Sequence, residues 1–97
     1  MIRDVQILSQ DSNEYFRLEQ FCKMLNRDSP NNHSYTIRNT YCDYGGCMKW
    51  TTIVDNTTDC QVLSPAKWKE IINDTRNLVE IETDFFNDMH CQDKSSN

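Results

Sequence analysis

At 97 residues, with 15 Asp and Glu against 10 Lys and Arg and a pI near 4.8, the sequence has the size of one domain, which buries above ~60% of its unfolded surface on folding. The formal charge of −5 argues against binding nucleic acid or an anionic membrane through a general basic field. No apolar run exceeds two residues, so the sequence contains no membrane-spanning helix and no hydrophobic stretch of a signal peptide.

In chain order, Val5 and Ile7 alternate with Asp4 and Gln6, which suits a short edge strand or an irregular arm. Asp11 or Ser12 followed by Glu14 starts a helix. There Tyr15, Leu18, Phe21, Cys22 and Leu25 recur at three- and four-residue intervals, with Glu14, Arg17, Gln20 and Lys23 outward. Asn26 to His33 is a loop by composition.

From Ser34 to Leu63 the period changes to two. Tyr35, Ile37 and Tyr41 alternate with polar residues, as do Met48, Trp50, Thr52 and Val54 beyond Gly45-Gly46. Two glycines in tandem predict a tight hairpin turn. That turn sets Tyr41 opposite Trp50 and Ile37 opposite Val54, and puts Tyr35, Ile37, Tyr41, Trp50 and Val54 in the core. Asp55 to Asp59 is a second turn, and Cys60 to Leu63 a short third strand.

Ser64-Pro65 is a helix start, with serine at the cap and proline at the first helical position. Trp68, Ile71 and Ile72 are its apolar side. The polar run from Asn73 to Asn77 either breaks the helix, with Asn77 capping a new one and Glu80 completing a capping box, or is carried in a continuous helix to about His90. The break is favoured. In the last helix Leu78, Ile81, Phe85 and Met89 form an apolar arc at ~100° per residue, widened by Val79 and Phe86. A short mobile tail is expected at about residues 92–97. The predicted fold is thus α+β and a single domain: a three-stranded antiparallel meander with a possible fourth, N-terminal strand, packed on an N-terminal helix and one or two C-terminal helices.

The candidate chemistry is sparse. Cys42 and Cys47 have the spacing of one zinc knuckle, but no second knuckle follows, and the adjacent His90 and Cys91 point ~100° apart on a helix. Five cysteines with no secretory signal are expected as reduced thiols in a cytoplasmic protein. The only two glycines are spent on a turn, leaving none for a phosphate-cradling loop. No nucleophile–base pair stands out, so no catalytic residue, metal or cofactor is expected. Tyr41 and Trp50 could stack bases, but they belong to the face that has to form the core, and the acidic field opposes phosphate.

Charge distribution is the one feature that asks for a function. Residues 1–76 carry ten acids and nine bases, whereas 77–93 carry Glu80, Glu82, Asp84, Asp88 and Asp93 and no base. Glu80, Asp84 and Asp88 are successive i, i+4 neighbours of like sign, which costs a helix a few tenths of a kcal/mol per pair. A solvated face that aids solubility explains most such helices. Here, however, the row is unneutralised, and four helical residues advance ~6 Å, an interval close to that between successive phosphates of a nucleic-acid strand. Such a row fits a cleft lined with lysine and arginine.

Short, acidic, asparagine-rich and motif-free, with an acidic helix, the chain resembles the small phage-encoded anti-CRISPR proteins, in particular those that mimic the DNA captured by a type I surveillance complex. The resemblance covers length, charge and that helix. It implies a monomeric, non-enzymatic inhibitor in the host cytoplasm, which binds a basic nucleic-acid-binding protein or ribonucleoprotein complex and itself binds neither nucleic acid nor membrane. Glu80, Asp84 and Asp88 would stand in for phosphates, with Asp74, Glu82 and Asp93 contributing at the margins, although Glu82 falls near the apolar arc. The competing expectations are an interaction or accessory module that binds through an apolar surface, and a small zinc-binding domain.

Overall fold

The computed structural model describes residues 5–29, 32–42 and 49–95, with the side chains of residues 5 and 89–95 excepted. Strand β1 (Val5–Gln6) and helix α1 (Asn13–Asp28) precede β2 (Tyr35–Tyr41), β3 (Lys49–Asp55) and β4 (Cys60–Gln61), and helices α2 (Pro65–Ile72) and α3 (Leu78–Ser95) complete the chain. This is the expected α+β arrangement. The antiparallel strands β2, β3 and β4 form the meander. The N-terminal strand is present and runs parallel to β3, Val5 against Lys49. Since β2 takes one whole edge of β3, the short β1 and β4 share the other, one at each end.

The helix boundaries follow local chemistry. Ser12 has extended backbone and its hydroxyl accepts from the Tyr15 N–H at 3.1 Å, satisfying one of the orphan donors at the start of α1. Leu18, Phe21, Cys22 and Leu25 are buried as their spacing predicts. Ser64 caps α2 through the Lys67 N–H at 3.2 Å, with Pro65 in the first turn. The break between α2 and α3 is real. Asp74 turns the chain in the left-handed region at φ 57°, and Asn77 Oδ1 accepts from the Val79 N–H at 2.8 Å, which starts α3 afresh. Helix α3 then continues to Ser95, beyond the expected start of the tail near residue 92.

The hairpin register differs from the expected one by one residue. Tyr41 lies opposite Lys49, Thr40 opposite Trp50 and Ile37 opposite Ile53. This pairing is centred on residue 45, whereas a two-residue Gly45-Gly46 turn would centre it between the glycines. The turn itself lies outside the described residues. A slip of one moves side chains to the other face. Trp50 therefore faces away from Tyr41, which shares its side of β2 with the buried Tyr35 but lies at the strand's far end and is 54% exposed, with Lys49 Nζ 5.9 Å from its ring centroid.

Strand β3 is buried on both faces from Trp50 to Asp55, so period-two reasoning alone could not choose an inner side. Ile53 joins Phe21, Leu25 and Tyr35 in the core, and Trp50 packs on Trp68 of α2 with ring centroids 5.2 Å apart. Both indoles are satisfied. Trp50 Nε1 donates to Gln61 Oε1 at 3.1 Å and Trp68 Nε1 to the Thr51 carbonyl at 2.7 Å. Phe85 of α3 meets Phe21 of α1 edge to face at 6.3 Å. Val79, expected to widen the apolar arc, is instead 60% exposed.

Candidate functional site

Helix α3 displays Glu80 and Asp84 with side chains 64% and 45% exposed, and Asp88 is exposed as well. At i, i+4 spacing these three share one side of the helix. The sequence counts no base in this segment, yet the fold supplies one from just before it. The half-buried Arg76 reaches Asp84 at 2.8 Å, Glu70 of α2 at 3.6 Å and Glu80 at 4.0 Å. The first two members of the row are therefore partly neutralised. No ion pair reaches Asp88 among the described residues.

Asp74 lies in the α2–α3 connection and is 73% exposed, 2.9 Å from Arg17 Nη1. Arg17, expected to face solvent, tucks over the end of α2 instead. Its Nε donates to the Ile71 carbonyl at 2.6 Å and its Nη2 to the Arg76 carbonyl at 3.3 Å. Such donors satisfy carbonyls that a helix end leaves open. Arg17 thereby fixes the segment that carries Arg76 and Asp74.

Glu82 is not on the acidic face. It is only 8% exposed, and its Oε2 is buried with no hydrogen-bond partner. Burial, followed by a hydrogen bond and charge repulsion from Asp28 at the end of α1, pushes its carboxyl up to about 7, against a smaller pull from Arg27. Asp28 stays low because Arg27 holds it, with Nε and Nη2 at 2.8 and 2.7 Å from its two oxygens. The buried Glu82 carboxyl of α3 is thus coupled electrostatically to the end of α1. Asp93 lies on α3 with its side chain outside the described residues.

A second buried carboxylate went unnoticed in the sequence. Asp55 closes the turn after β3, accepting from the Thr57 N–H at 2.8 Å and lying 2.6 Å from His33 Nδ1. Burial raises its pKa, but the hydrogen bonds from His33, Thr57 and Thr58 outweigh that and hold it below the ordinary carboxylate value. The available signal was His33 ending one loop while Asp55 began another, on strands expected to pair.

Cys22 and Cys42 are buried and Cys60 is exposed, all as free thiols. Burial, with a smaller contribution from Glu19, pushes the Cys22 thiol up to about 11, so it is a poor nucleophile. Among the described residues no group of three His, Cys, Asp or Glu side chains is placed to hold a metal. Cys47 and the side chains of His90 and Cys91 lie outside those residues. No described helix is long and apolar enough to cross a membrane. Comparison of the chain with models of known families, with curated proteins and with solved structures finds no match to any of them.

Proposed function

We propose that this protein is a non-enzymatic binding protein that docks the acidic face of α3 into a basic groove which otherwise receives nucleic acid. The observation that carries the reading is the row Glu80, Asp84 and Asp88, exposed on one side of a helix whose opposite side is anchored by Ile81 and Phe85. Carboxylates fixed on a packed helix need little ordering when they bind, which favours association over a flexible acidic tail. Their charge mainly sets association rate and specificity. Arg76 tempers Asp84 most closely and Glu80 less, so Asp88 leads the row, with Asp84, Glu80 and Asp74 beside it. Glu82 serves the fold rather than the surface.

The partner class is a basic nucleic-acid-binding protein or ribonucleoprotein. A type I CRISPR surveillance complex is the instance suggested by the resemblance to anti-CRISPR proteins, and inhibition would then consist in occupying its DNA channel. The test is competition: the protein is titrated into such a complex bound to a labelled target duplex. Release of the duplex by the parent, and not by a variant with Glu80→Lys, Asp84→Lys and Asp88→Lys, supports the reading. Equal release by both removes the acidic row from the account.

A further inference from the structure

We infer that the free edge of β2 is a self-association site, at which two copies of this chain pair their β2 strands antiparallel about a twofold axis through Asn39. This surface lies apart from the acidic face of α3 and does not depend on its role.

The hydrogen-bonding directions of β2 are fixed by its two ends. The Ser34 carbonyl accepts from the Asn56 N–H at 2.7 Å, toward β3. Tyr35 points both backbone groups the other way, where Asn26 of α1 takes them: its Oδ1 accepts from the Tyr35 N–H at 2.7 Å and its Nδ2 donates to the Tyr35 carbonyl at 3.0 Å. Along an antiparallel strand successive residues alternate between the two edges. Ile37, Asn39 and Tyr41 therefore also direct N–H and C=O away from β3. Asn26 closes this edge at Tyr35, and at the far end Gln61 Nε2 donates to the Tyr41 carbonyl. The N–H and C=O groups of Ile37 and Asn39 have no partner among the described residues.

Edge strands are ordinarily protected by proline, by lysine, by a bulge or by brevity. β2 runs seven residues in unbroken register with β3, and contains neither proline nor lysine. Its outward residues, Ile37, Asn39 and Tyr41, are symmetric about Asn39, and the Tyr41 carbonyl, already bonded to Gln61, keeps a second lone pair for a partner. A second β2 laid antiparallel on that centre pairs Ile37 with the other copy's Tyr41 twice over, an aromatic on a β-branched side chain. It also covers the exposed Tyr41 ring and lets Asn39 exchange backbone bonds with its counterpart. The one charge on the strand, Arg38, is compensated by Asp59 at 3.5 Å. The edge is thus self-complementary and carries no unpaired acid, which favours a copy of itself over the basic partner suited to α3. Contact through a single strand edge implies a weak dimer, opposed by the net charge of −5 on each chain and helped by salt that screens it.

Sedimentation of the purified full chain over a wide concentration range tests this. A monomer–dimer equilibrium that strengthens between ~50 and ~200 mM salt is expected. Asn39→Pro should weaken it about tenfold or more, equivalent to about 1.4 kcal/mol or above. That change removes an outward N–H and the side-chain oxygen that accepts from Thr51 Oγ1 at 2.6 Å, and spares the backbone ladder to β3. Tyr41→Lys, at an exposed side chain, should do the same without touching the backbone, so a failure of the proline variant to fold leaves the test intact. Mild oxidation should cross-link the Asn39→Cys variant into dimers well beyond the parent. A chain that stays monomeric at every concentration, or a dimer indifferent to both substitutions, overturns the inference.

Discussion

Arg76 Nη2 stands 2.8 Å from Asp84 Oδ2, bonding the segment that precedes α3 to the middle of that helix's acidic row. The contact holds the counter-ion beside the charges proposed to meet a partner. If that row is the docking surface, a basic groove has to displace or accommodate Arg76. Arg76→Gln should therefore tighten partner binding and steepen its salt dependence, with little change in melting temperature, because surface ion pairs contribute little to stability. Weaker binding by Arg76→Gln, measured by titration calorimetry at two salt concentrations, would instead make the arginine part of the contact.

Glu82 and Asp28 predict an unusual pH dependence. A carboxyl raised from 4.5 to about 7 keeps its proton in the folded state while the unfolded chain has already released it. Its stabilising contribution is complete below pH 4.5, falls through the interval to 7 and is lost above it. The melting temperature should decline over that window as pH rises. Glu82→Gln keeps the shape and a donor toward Asp28 while removing the titration, and should flatten the decline. An unchanged pH profile in the variant would show that Glu82 does not titrate in that window. Asp55 acts in the opposite sense, since its lowered pKa adds stability that disappears as pH falls below the ordinary carboxylate range.

The one-residue register shift separates two aromatic residues that alternation placed together. Trp50 is fully buried and Tyr41 is more than half exposed. Trp50→Ala should cost about 3–5 kcal/mol, and Tyr41→Ala within about 0.5 kcal/mol, by chemical denaturation at concentrations where the chain is monomeric. Comparable losses for both would restore the register with Tyr41 opposite Trp50.

What the sequence disclosed, and what it did not, divides along range of interaction. The caps at Ser12, Ser64 and Asn77 are local, and each could be read from a few neighbouring residues. The apolar spacing of Leu18, Phe21 and Leu25 likewise named the inner face of α1. Register was not local: Gly45-Gly46 suggested a pairing centred between the glycines, whereas Tyr41 pairs with Lys49 about residue 45. The two-sided burial of β3 also concealed which of its faces meets α1. The site was legible as a charge pattern on α3. Its electrostatics were not, since Arg76 and Arg17 act across the fold, and Glu82 is set apart from the row by meeting a carboxylate 54 positions earlier in the chain.

The most direct test of the proposed docking face is the affinity of the protein for a nucleic-acid-binding partner that it displaces from DNA. It should be compared between ~50 and ~200 mM salt for the parent and for the combined Glu80→Gln, Asp84→Asn and Asp88→Asn variant. These neutral replacements preserve shape and helix, so a marked salt-dependent loss is expected for the parent. For the variant, weaker binding with a shallower dependence on salt is expected. Parent and variant binding with equal affinity and equal salt dependence would contradict the proposed docking face, and would transfer the interaction to a surface without the acidic row.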